Sequence, residues 1–87
     1  MSNPSVTEFA DFKRDLSERL KHEFPDGFVE VRDSGAALDK IRIVVVSHAF
    51  DGLTEPEKQE KVWSVVGSFG DGATRVLRIM PYSPDEL

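Results

Sequence analysis

The 87-residue sequence contains no cysteine. That absence excludes disulfides, thiol nucleophiles and thiolate metal sites, so the core alone must hold the fold and the chain carries no redox chemistry of its own. Long apolar runs are missing too. The longest, Ile43 to Val46, falls far short of the roughly 20 residues that span a bilayer. No cationic start leads into an apolar segment, so the sequence reads as a cytoplasmic protein without a membrane partner. Positive charge is scarce, with 11 Lys and Arg against 16 Asp and Glu and a formal net charge of -5. Proteins whose main work is neutralising phosphates cluster Lys and Arg, so this balance disfavours nucleic acid while leaving a local basic patch open. There is no nucleophile elbow, phosphate-cradling Gly loop or pair of metal-binding carboxylates, which argues against an enzyme.

What is present is ordinary for a globular chain: 39% hydrophobic and 31% charged residues, enough for one domain over residues 1–87 with one modest core. Ser5 followed by Glu8 is a capping-box pattern, and Phe9, Phe12, Leu16 and Leu20 recur at intervals of three or four. The spacing predicts an amphipathic helix over about Thr7 to Glu23, with Lys21 and His22 at its carbonyl end and Pro25-Asp26-Gly27 as the stop. "FVEVR" (Phe28 to Arg32) and "IRIVVVS" then read as an antiparallel hairpin around the loop Asp33 to Lys40. Val44, Val45 and Val46 break the alternation and want apolar neighbours on both faces. "HAFDGL" must turn. Thr54-Glu55-Pro56-Glu57 supplies a second cap, and Val62, Val66 and Phe69 form the stripe of a second helix, flanked by Trp63 and Val65. Glu57 and Lys61 are four apart in the order that favours an ion pair. "TRVLRIM" resumes a strand, read with Leu77 and Ile79 on one face and Val76 and Met80 on the other. Ser83-Pro84-Asp85-Glu86 is a third cap with room for one turn. The class is α+β, in the order helix, strand, strand, helix, strand.

Two segments carry a family likeness. "IVVVSHAFDGLTEPEKQEKVWSVV" and "VLRIMPYSPDEL" resemble the BolA family, through a strand ending in Val-Ser, a Phe-x-Gly step into a helix, and a last strand followed by Ser-Pro-x-Glu. The resemblance covers nearly the whole chain. It implies a fold related to the type II KH domain, with the helices on one face of a three-stranded sheet, Phe50 filling the corner after the second strand and Gly52 permitting the turn. It also implies one of two kinds of work: partnering a monothiol glutaredoxin around a shared 2Fe–2S cluster, or regulating transcription, including the stress response, by binding DNA. The residues depart from both. Where the family places a cluster-ligating His before the last strand, this chain has Arg75, and the loop Asp33 to Lys40 has neither Cys nor His. A guanidinium stays protonated and cannot ligate iron, so conventional cluster ligation is not expected and no cofactor is assigned. The family's basic Arg-His-Arg helix triplet is replaced by Lys58-Gln59-Glu60, which weakens the DNA reading.

The remaining candidates are few. His48 is the one weak metal candidate, but it has no second ligand in its segment and reads better as a structural residue at a turn; His22 is explained by its helix end. Ser47, His48 and Asp51 could nominally form a triad, yet adjacent strand residues point to opposite faces. Gly67 to Gly70, "GSFG", matches the Gly-x-x-Gly clamp of KH domains but lies outside the place where that clamp works, so Gly67 reads as a helix cap and Gly70 as a turn. The expectation is a non-enzymatic, protein-binding or regulatory domain. Lys58, Lys61, Trp63, Arg75, Arg78 and Tyr82 are its guessed partner or nucleic-acid surface, and a monothiol glutaredoxin is the candidate partner.

Overall fold

The first helix, α1, spans Pro4–Glu23 in the computed structural model, which describes residues 4–35 and 40–87, with side chains from residue 8 onward. It begins before the expected Thr7. Proline suits the first helical position because no amide is missed there, so Ser5 lies inside the helix instead of capping it, and its side chain lies outside the described residues. The apolar stripe is as read: Leu16 and Leu20 are fully buried, with Phe9 and Phe12 half-buried ahead of them. After α1 the chain turns so tightly that a Cβ on Gly27 would sit 1.7 Å from the Val46 carbonyl oxygen. Only glycine allows the next strand to start there.

Strand β1 (Phe28–Asp33) pairs antiparallel with β2 (Ile41–Val46), and β2 pairs parallel with β3 (Val76–Tyr82), giving the sheet order β1-β2-β3. The Ser34 amide donates to the Lys40 carbonyl and closes the hairpin; residues 36–39 of that loop lie outside the described residues. A parallel pair needs a crossover, and the second helix, α2 (Glu55–Val66), provides it. Val29, Ile41, Ile43, Val45, Val76 and Ile79 point to the same side as Leu16 and Leu20 of α1 and Val62, Val65 and Val66 of α2, and together they make the core. Both helices therefore cover one face of the sheet.

The last strand differs from its sequence reading. Ile41 opposes Val76, but Arg42 opposes Arg78, so Leu77 is an extra residue in a bulge. Val76 and Ile79 share the buried face, whereas Leu77 is 52% exposed; strict alternation had put Leu77 with Ile79. The strand also starts later than expected. Gly67–Arg75 forms 3-10 turns whose helical dihedrals break at Gly70, and Arg75 belongs to the last of these, not to the strand.

The step between β2 and α2 is a short 3-10 turn, His48–Phe50. Phe50 is fully buried with its ring 5.2 Å from that of Phe24, and Gly52 takes a positive φ of 74° that side chains resist. The Thr54 cap is built as read: the Thr54 amide and hydroxyl donate to Glu57 Oε1 at 2.9 and 2.8 Å. Glu57 is thereby turned back on the cap, and its carboxylate is held below its usual range by those two bonds. The expected Glu57–Lys61 ion pair is not among those formed by the described residues. On the far side of the sheet no helix of the described residues packs; Glu30, Val44, Val46 and Met80 are half-buried there, and Arg42 and Arg78 are exposed.

Candidate partner-binding surface

A groove of about 300 Å³ runs between α2 and the free edge of β3, with Gln59, Trp63, Leu77, Arg78 and Tyr82 among its walls. Local structure explains each wall. Trp63 follows the buried Val62 by one position and so falls at the border of the helical stripe, 38% exposed. Leu77 is turned outward by the bulge. The strand edge itself is closed to further pairing: Gln59 Nε2 donates to the Ile79 carbonyl at 2.8 Å, and Pro81 has no amide to offer. The groove can therefore grip side chains of a partner but does not invite an added strand.

The structure brings together only part of the expected surface. Trp63, Arg78 and Tyr82 line the groove, while Lys61 lies on another side of α2 beside Leu53, Glu57 and Ser64. Lys58 is not a surface cation. It is 7% exposed and its ammonium binds Glu86 Oε1. The physical reason is helical spacing: Lys58, Val62, Val65 and Val66 share one face, so the lysine enters the core border and carries its charge to the C-terminal turn. Ser83 adds its amide and hydroxyl to the same oxygen, each at 2.9 Å. The Lys58 ammonium first, then the Ser83 amide and hydroxyl, draw Glu86 down from 4.5 to about 2. A lysine committed in this way fastens Pro84–Glu86 against α2 and cannot also meet a phosphate.

Arg75 is half-buried and lies over two aromatic rings of α1, 5.5 Å from the centre of Phe9 and 5.6 Å from that of Phe12. Phe12 in turn meets the edge of Phe69 at 5.8 Å. The guanidinium thus ties the 3-10 turns that precede β3 to α1 by cation–π attraction. Sequence reasoning found Arg75 by its position in the family pattern, but the two rings beneath it could be placed only by the fold. Gln59 and Leu77, which the sequence reading passed over, had no local signal: one acts through a carbonyl twenty residues on, the other through a bulge.

His48 is exposed. Its Nδ1 lies 2.9 Å from Asp51 Oδ2, and its amide donates to Asp26 Oδ2 at 2.9 Å. The Asp51 hydrogen bond, then its charge, raise the imidazole above its ordinary 6.5. Ser47, fully buried, donates to Asp26 Oδ1 at 2.8 Å and accepts from the Ala49 amide. The His48 amide first, then the Ser47 hydroxyl, depress Asp26. The Ser47 hydroxyl and the His48 amide both bind Asp26, while the His48 ring turns to Asp51. The two side chains diverge as expected, but at the cap of a 3-10 turn and not on opposite faces of a strand, and the hinge ties the α1–β1 turn to the end of β2.

Solved structures of known proteins match this arrangement, three of them as follows. BolA1 from Arabidopsis thaliana superposes with a TM-score of 0.75 at 19% identity over 87% of this chain and 95% of that one. The fold is that of the BolA proteins. The BolA domain of SufE1 from Arabidopsis thaliana gives a TM-score of 0.71 at 20% identity, covering 86% of this chain and 94% of that one. A bol-like protein from Babesia bovis gives 0.65 at 20% identity, covering 85% and 86%. No family model matches the sequence, and no curated protein does. In the BolA-like frame, the residue that the sequence resemblance sets against the family's cluster-ligating His is Arg75. Its donor chemistry does not fit iron, because a guanidinium has no free lone pair to give, and the side chain is already laid over Phe9 and Phe12.

Proposed function

We propose that this chain is a non-enzymatic, cytoplasmic BolA-like domain that works by binding a protein through the groove between α2 and β3, as a partner or regulator that does not ligate a cluster. The observation that carries the reading is the Trp63–Leu77 pair. Two large apolar side chains stand at 38% and 52% exposure beside Arg78 and Tyr82, and aromatic and arginine anchors of this kind dominate protein interfaces. A monothiol glutaredoxin is the partner to try first, on the strength of the family resemblance.

Calorimetric titration against apo monothiol glutaredoxin tests the reading. Trp63→Ala is expected to weaken binding at least roughly tenfold, in line with a central aromatic anchor. Equal affinity of the parent and Trp63→Ala chains would sink the groove as the binding site. The nucleic-acid reading, including transcription regulation, draws on Lys61, Arg75 and Arg78, and it loses Lys58 to Glu86.

A further inference from the structure

The open face of the sheet carries an arrangement that neither helix nor hinge explains. Arg32 of β1 stands opposite Arg42 of β2, and Arg42 stands opposite Arg78 of β3. Three arginines therefore form one row straight across the sheet. Glu30 pairs with Arg32, binding both its Nε and, at 3.0 Å, its Nη2, and raises its pKa. Among the described residues Arg42 and Arg78 have no ion-pair partner. Like charges directly opposite each other oppose sheet formation.

Apart from Glu30, which is bound to Arg32, the rest of the face is largely apolar. The next row is Glu30, Val44 and Met80, and the one beyond it is Phe28, Val46 and Tyr82. Phe28 is 54% exposed. A shallow depression of about 490 Å³ runs along these rows. From the arginines to Phe28 is four residues, or about 13 Å of strand. The face therefore has a cationic end and an apolar end, separated by about the length of a short peptide.

We infer that this open sheet face docks an acidic, apolar protein segment, its carboxylates on Arg42 and Arg78 and its apolar side chains over Val44, Val46 and Met80. The inference rests on the protein-binding reading and adds to it a second surface that meets the groove at Arg78 and Tyr82. Charge complementarity selects the occupant. A net charge of -5 repels a polyanion at long range but not a segment with one or two carboxylates close to a local cationic row. The floor also disfavours nucleic acid: Phe28 and Tyr82 are separated by Val46 in the register, leaving them about 10 Å apart, so they form no continuous stacking platform for bases.

Two-dimensional amide NMR of the full chain, titrated with a synthetic peptide about ten residues long in which glutamates precede leucine and phenylalanine, tests the inference. The amides of Arg42, Val44 and Met80 should shift. The double variant Arg42→Thr/Arg78→Thr, whose spectrum should stay folded because it relieves like-charge contacts, should bind at least roughly tenfold more weakly. Trp63→Ala should bind unchanged. Shifts confined to Gln59, Trp63 and Leu77 would overturn the open face as the site and leave the groove reading intact. An oligothymidylate that binds this face more tightly than the peptide at the same salt would overturn the occupant. Absence of any shift would overturn the inference alone, because the glutaredoxin titration tests the underlying protein-binding reading separately.

Discussion

Replacing Arg42 by threonine should stabilise the protein. Arg42 lies between Arg32 and Arg78 in the register, and directly opposed like charges in a sheet each cost about 0.2–1 kcal/mol. Glu30 already offsets Arg32, so the contact with Arg78 makes the larger part. Threonine also suits a strand, although it loses the cover that the arginine stem gives the sheet. The net gain should be about 0.5–1 kcal/mol, or roughly 2–8 °C in the thermal midpoint of a domain this size. Thermal unfolding followed by circular dichroism at low salt measures it directly. Arg42→Lys keeps the charge and should show no such gain. In about 1 M salt, where screening reaches only about 3 Å, the difference between threonine and arginine should shrink. A threonine variant less stable than the parent at low salt would refute the reasoning, and with it the claim that the arginine row is held against the sheet's own stability.

Phe50→Ala should cost about 3–5 kcal/mol by emptying the corner against Phe24, read as a lowered urea midpoint; a loss under about 1 kcal/mol would mean that the corner refills. Gly27→Ala should fail to give a folded amide spectrum, because its Cβ meets the Val46 carbonyl oxygen at 1.7 Å, and a native-like spectrum would contradict that close approach. Acid sensitivity should report on Glu86. Its pKa in the folded chain is lowered, so its contribution is complete above 4.5 and fades as pH falls toward about 2. Glu86→Gln should therefore lose less stability than the parent between those values in urea titrations, while Asp26 and Glu57 go on contributing in both; parallel curves would sink the Lys58–Glu86 account.

The parts of the fold that were legible in the sequence depend on near neighbours. The Thr54 cap, the Leu16–Leu20 stripe and the turn at Gly52 each rest on residues a few positions apart, and each is built as read. Whatever depends on pairing across the sheet was not legible. The bulge at Leu77 exists only relative to β2, and it inverts the faces of β3 from that point. The arginine row is likewise a property of register, since Arg32, Arg42 and Arg78 sit in separate segments. Lys58 is intermediate. Its spacing to Val62 and Val66 marks the buried stripe, but its partner Glu86 is 28 residues away, so a lysine that looked like a surface cation is a fastening. Arg75 was legible as a departure from the family pattern, whereas its seat over Phe9 and Phe12 required the fold.

The most direct test of the proposed role is the visible circular-dichroism spectrum of a monothiol glutaredoxin holding its 2Fe–2S cluster, recorded with this chain added to saturation as judged by calorimetry. A partner that binds through Trp63 and Leu77 and gives the iron no ligand should leave the cluster bands in place. Bands that shift with the parent chain and return in His48→Ala or His22→Ala would show imidazole ligation and contradict the account.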